Sequence, residues 1–268
     1  MIITIQKIAA IILVLGAQAA HAITAQEVMT KNEQARQLES VIAKVKLTTG
    51  GAGAAEKVKE FTWWRKLSGD KVHYNTLTRF HAPAEVKNQG ILFLETADKT
   101  DIQMYLPSFK KTRRVEAQQQ SSSFMGSEFS YADITTPAVA DYTHKMLKEA
   151  ETCAEGPASF QCYVIESTPV SEAVRERTGT SKSVNWIRHD NFMPVKAEFH
   201  DLQGAHWKTI TFADNKAVLP KESKWLAHNV RVENAKNKKF TTLAFSDVKA
   251  TEKVPDSTFT VQNLSRER

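Results

Sequence analysis

The chain has 268 residues, 36 of them Lys or Arg and 30 Asp or Glu, for a formal net charge of +6. So modest an excess, spread along the sequence and unaccompanied by a binding motif, excludes nucleic acid as the expected partner and suits contact with anionic membrane surfaces. Beyond the first 22 residues no run of 18 apolar residues occurs, so no membrane-spanning helix is expected there.

Residues 1–22 predict a secretory signal peptide. A positive start at the amino terminus and Lys7 leads into an apolar run over 8–17 and then to Ala19, Ala20 and Ala22. Ala20-His21-Ala22 fits small-x-small cleavage after Ala22, and about ten apolar residues are too few to span a bilayer. The mature chain, 23–268, is read as one secreted domain. It has no Cys at its start and is not expected to be lipidated.

Thr24-Ala25-Gln26-Glu27 reads as a capping box and predicts a helix to about Leu38. From Ser40 the period becomes two. Val41, Ala43, Val45 and Leu47 alternate with polar or outward positions, and the Gly-rich stretch 50–53 turns the chain into a second strand over 58–67. A third strand is expected over 71–80. Further short strands are expected over 91–95, 102–106, 112–116, 141–149, 160–167, 183–189, 194–200, 206–213, 223–230 and 240–248. Residues 118–137 read as a loop with at most a short helix, and Pro255-Asp256-Ser257 as the start of a terminal helical turn.

The strand over 194–200 alternates cleanly, with Met193, Val195, Ala197 and Phe199 on one side. One face is therefore dry and the other wet. A sheet this long needs cover for its dry face, and the sequence offers one modest helix and one long loop. Either the sheet curls around an apolar groove, or a second sheet completes an ordinary sandwich core.

Cys153 and Cys162 flank Gly156-Pro157. In an oxidising compartment they predict a disulfide across a hairpin, since two Cys alone lack the company of a metal site. No metal or cofactor is expected. The sequence carries no Gly-x-Ser-x-Gly elbow, no His-Glu-x-x-His and no phosphate-cradling loop, so the chain is read as a non-enzyme. A triad of Ser127, His144 and Asp133 can be assembled on paper only.

Tyr105-Leu106-Pro107, Lys110-Lys111-Thr112-Arg113-Arg114 and Phe124-Met125-Gly126-Ser127-Glu128-Phe129-Ser130-Tyr131-Ala132-Asp133 resemble the "YLP, RR, FMGSDFSYED" run of bacterial outer-membrane lipoprotein-sorting proteins. Glu128 and Ala132 depart from that pattern. The likeness extends to residues 90–94 and 186–196 and to Leu264 near Arg266. It implies a LolA/LolB-like fold: mainly β, an incomplete antiparallel β-barrel of about eleven strands with an N-terminal helix and short lid helices. It also implies a periplasmic carrier of lipids or lipoprotein acyl chains, or alternatively an accessory interaction protein of an exporter of the resistance-nodulation-division type without lipid cargo.

For the groove the candidates are Phe61, Trp63, Leu67, Leu92, Leu94, Met104, Leu106, Phe124, Met125, Phe129 and Tyr131. Trp63 and Trp64 point to opposite faces of a regular strand, so only one can line it. Phe124, Met125, Phe129 and Tyr131 are large apolar groups in a loop, expected either as a lid or as a static plug. Arg113 and Arg114 are candidates for an anionic headgroup or a partner protein, or else for protection of a strand edge. A monomer is expected.

Overall fold

Alternation with a period of two takes most of the chain into strands. A computed structural model describes residues 22–51, 53–97 and 99–266. All but the last residue of the expected signal peptide lie outside the described residues. The helix foreseen after Thr24 is α1 (Ala25–Arg36), and its capping box is complete: the Thr24 side chain accepts from the Glu27 backbone N–H while the Glu27 carboxylate accepts from the Thr24 N–H. Helix α1 is sparsely apolar and is held by tertiary packing. Its Ala25 and Val28 are buried against Ile165 and Ile187 of the sheet.

Among the described residues thirteen strands follow, joined in one antiparallel sheet. They are β1 (Ser40–Gly51), β2 (Ala54–Leu67), β3 (Tyr74–Ala82), β4 (Gly90–Glu95), β5 (Thr100–Leu106) and β6 (Lys111–Val115). After the segment 116–141 come β7 (Tyr142–Glu155), β8 (Ala158–Pro169), β9 (Lys182–Arg188), β10 (Pro194–His200), β11 (His206–Leu219), β12 (Lys224–Asn234) and β13 (Phe240–Lys249). Each overlaps one of the short runs read from the sequence as a strand. The sheet is therefore larger than the eleven or so strands the family resemblance implied, and it is an open sheet rather than a closed barrel. Its order is β6-β5-β4-β3-β2-β1-β13-β12-β11-β10-β9-β8-β7.

That order has a topological consequence. Strands β1 and β13 pair with each other at the middle, whereas β6 and β7, consecutive in sequence, are the two opposite edges. The connection between them must cross the whole sheet. Segment 116–141 is thus a strap laid over one face, and it contains a short helix, α2 (Tyr131–Ile134). Twisted open sheets of more than about ten strands curl, and this one curls around its strap.

Cross-strand pairs show what the inner face buries. Phe245, Val45, Phe61 and Phe80 are in register across four strands. With Leu47, Phe93, Ile102 and Val115 they belong to a core that the strap residues Phe124, Phe129 and Tyr131 complete. On the outer face Leu77, Leu92 and Tyr105 are covered by the C-terminal segment, whose Phe259 and Leu264 are buried on them. The terminal turn foreseen at Pro255 is present, with Pro255 as its N-cap, and α4 (Val261–Leu264) follows. Gly90 is the point of closest approach: a Cβ there would stand 2.7 Å from Leu264 Cδ1. Two positions of the family resemblance, far apart in sequence, therefore touch.

Cys153 and Cys162 form a disulfide across the β7–β8 hairpin, with Cα atoms 5.9 Å apart. In the chain-entropy model so short a loop contributes about 2–3 kcal/mol. Helix α3 (Glu172–Thr178), capped by Ser171 and ended by Gly179 in the left-handed region, was not foreseen. Its seven residues are too few to show a helical period.

Candidate functional site

Curling leaves more room than the inner side chains fill. Two adjoining cavity lobes, of about 200 and 220 Å³, lie between the sheet, the strap and α1, and share Arg36, Phe129, Thr135, Pro194, Phe212 and Val230 in their walls. A water molecule needs only about 10–15 Å³ of such space, so neither lobe is a packing defect. The first lobe adds Phe61, Trp63, Trp225, Leu243 and Phe245. Phe212, Val230 and Leu243 are directly opposite one another on β11, β12 and β13, which builds one apolar wall as a ladder. Phe212, Val230 and Phe245 stay half-buried: their remaining surface lies along the hollow.

The predicted groove residues separate into groups. Phe61, Trp63, Phe124 and Phe129 line the first lobe. Trp63 meets Phe245 edge-on at 5.4 Å between centroids, while Trp64 packs on the outer face. Met104, Leu106, Met125 and Tyr131 belong to the solid core beside the hollow rather than to its wall. Leu67, at the end of β2, is half-buried outside both lobes. Leu92 and Leu94 face outward onto the C-terminal segment, because their alternation on β4 sets them opposite Ile91 and Phe93. Arg113 and Arg114 lie exposed on the edge strand β6, where Arg114 pairs with Asp101 at 2.7 Å. Sequence reasoning missed Arg36, Arg65, Phe212, Val230 and Phe245. Three of these belong to the strands at the far end of the chain, and only the β1–β13 pairing brings those strands beside β2.

The strap is a folded element. Phe124 and Phe129 pair by a 2.7 Å backbone hydrogen bond, and the turn between them places both Met125 (φ 54°) and Gly126 (φ 73°) in the left-handed region. A glycine suits the second of these positions because it has no Cβ to clash there. Ser130 and Asp133 then form the capping box of α2. The Asp133 carboxylate also accepts a charge-assisted hydrogen bond from Lys208 Nζ of β11, whose side chain is 1% exposed. Glu128 anchors a second point: its N–H donates to Thr241 Oγ1 at 2.9 Å and its carboxylate accepts from Asn234. The two residues of the recognised motif with carboxylates inside the fold thus tie the strap to the sheet.

The strap's exit meets a polar cluster at one end of the first lobe. Glu95, 2% exposed, accepts the Thr136 N–H at 2.9 Å. Burial pushes its pKa up to about 7, against the pull of Arg65 and of that N–H. Arg65 donates to Thr136 Oγ1 and stacks 3.7 Å from the centre of the Tyr74 ring.

Ser127, His144 and Asp133 do not assemble. The Ser127 hydroxyl bonds to the backbone of Phe129, His144 Nδ1 is 2.8 Å from Ser167 Oγ, and Asp133 is engaged with Lys208. Among the described residues no cluster of three metal-ligating side chains occurs.

Three solved structures share this architecture. An outer membrane lipoprotein-sorting protein domain from Vibrio parahaemolyticus is similar at 26% identity with a TM-score of 0.82, covering 90% of this chain and 98% of its own. A DUF1329 family protein from Desulfovibrio piger is similar at 22% identity and TM-score 0.81, covering 90% and 97%. A LolA superfamily protein from Nitrosomonas europaea is similar at 24% identity and TM-score 0.70, covering 90% and 100%. The last two establish likeness of fold alone. No curated protein matches the sequence. A family model described as "Uncharacterized protein" matches residues 73–266, well over half of the chain. The chain belongs to the family that this model describes, and its fold is that of the LolA superfamily and of the outer membrane lipoprotein-sorting domain.

Proposed function

We propose that the protein is a periplasmic carrier that shields the acyl chains of lipids or lipoproteins in the hollow between sheet and strap, working as a single domain after removal of residues 1–22. One observation carries this reading: Phe212 and Val230 line both lobes, of about 200 and 220 Å³, and Phe245 the first, and all three keep part of their surface uncovered. Each methylene moved from water into such a space gains about 0.8 kcal/mol, so a chain of ten carbons provides ample affinity without covalent chemistry. The Vibrio parahaemolyticus relative is described as lipoprotein-sorting, which agrees with a cargo that carries acyl chains.

Native mass spectrometry of the protein purified from the periplasm without detergent tests this. A bound population heavier by the mass of an acyl-bearing lipid, lost on organic extraction, is the expected result. Protein that emerges at its own mass and stays so after incubation with lipid would overturn the reading.

A further inference from the structure

Two arginines from different elements line the first lobe: Arg36 in the last turn of α1 and Arg65 on β2. Among the described residues neither has an ion-pair partner within 4.0 Å. Arg36 makes one long bond, from Nε to the Asn32 carbonyl of its own helix at 3.4 Å. Arg65 bonds to Thr136 and stacks on Tyr74, yet its buried Nε has no hydrogen-bond partner. Glu33 Oε1, in the same wall, is likewise buried without one. Arg36 keeps part of its side chain exposed, while desolvation at the lobe wall and the neighbouring Arg65 charge lower its pKa.

The other charged groups along the hollow are matched. Asp133 pairs with Lys208 and Arg177 pairs with Asp141 at 2.9 Å, while burial lowers the pKa of His144 and favours its neutral form. What is left is Arg36 and Arg65 against Glu33 and, at the end of the lobe, Glu95, whose burial favours its neutral form, so positive charge is in excess. These unmatched donors stand beside Phe61, Trp63 and Phe245 in one wall. Arginine forks bind carboxylate and phosphate oxygens through paired N–H groups, and a cation beside an apolar cavity gains most from a counter-charge tethered to something that fills the cavity.

We propose that Arg36 and Arg65 form a headgroup site for an amphiphile bearing one negative charge, a carboxylate or a phosphodiester, whose acyl chain occupies the hollow. This rests on the carrier reading and adds to it the class of cargo. An inorganic anion would satisfy the arginines but leave the apolar wall wet; an uncharged lipid would do the reverse.

The test uses the full mature chain and the fluorescence of cis-parinaric acid and of its methyl ester, which share the acyl chain and differ in charge. Binding of the acid at least about tenfold tighter than the ester is expected, the worth of a charge-assisted hydrogen bond. In an Arg36→Gln/Arg65→Gln variant the acid should fall to the affinity of the ester, with the ester unchanged, which also shows that the variant is folded. Arg36→Lys/Arg65→Lys should keep part of the preference. Displacement of the acid by lysophosphatidylglycerol but not by lysophosphatidylcholine assigns the site to phosphodiester lipids, and displacement by oleate alone assigns it to free carboxylates. Equal binding of acid and ester by the unaltered protein, or an unchanged preference in the Gln variant, overturns the headgroup site while the carrier reading stands. Failure of both probes to bind overturns both.

Discussion

Glu95 is a carboxyl group held where a carboxylate is costly. It ends β4 with 2% of its surface exposed, and only one of its oxygens has a hydrogen-bond partner, the Thr136 N–H. Arg65, His73 and Arg177 are the charged groups that favour its ionised form, and burial outweighs them, setting its pKa at about 7 against an ordinary 4.5. A folded-state value above the unfolded one means that the fold prefers the proton. The stabilisation is complete below pH 4.5 and is lost as pH rises through 7, at most about 3 kcal/mol for this group. Urea unfolding at pH 5 and pH 8 should therefore show lower stability at pH 8, and a Glu95→Gln variant should lose that part of the slope. An identical slope in both proteins would contradict the assignment.

At the scale of elements the strap decides the architecture. The sequence marks residues 118–137 as a loop and flags Phe124, Phe129 and Tyr131 as too apolar for one, and the structure buries all three. What alternation could not supply was the reason: the strap bridges the two edges of the sheet, and edge positions depend on strand order. Nor was its fastening legible, since Lys208 is 75 residues from Asp133 in a strand that reads as half-polar. Lys208→Met leaves the Asp133 carboxylate, 12% exposed, with the Ser130 N–H but without its ion-pair partner, and breaking such a pair costs up to about 3–5 kcal/mol. Adding Asp133→Asn removes the orphaned charge and should recover most of the loss. Denaturation midpoints of the two variants check this. A single variant as stable as the parent would show that the strap is held by its apolar side chains alone.

For the molecule as a whole, strand positions were legible because several strands bury one face and wet the other, and each of the thirteen short runs read from the sequence overlaps one of the thirteen strands among the described residues. The N-terminal helix was legible from Thr24 and Glu27, and the disulfide from two Cys around a Gly-Pro turn. The hollow was legible only in half. Phe61 and Trp63 were found in one hairpin, whereas Phe212, Val230 and Leu243 come together through pairings between distant strands. Leu92 and Leu94 fall on the outer face because the C-terminal segment covers that side too, so alternation on β4 no longer tells inside from outside. A carrier needs the hollow to be a receptacle. Val230 stands in the wall of both lobes, so Val230→Trp should fill the space between them without touching the strap's fastenings. Titration with the apolar fluorophore N-phenyl-1-naphthylamine is the most direct measurement: saturable binding to the unaltered protein, reduced at least about tenfold by Val230→Trp, is the predicted result. No saturable binding, or binding that the filled variant retains in full, would contradict it.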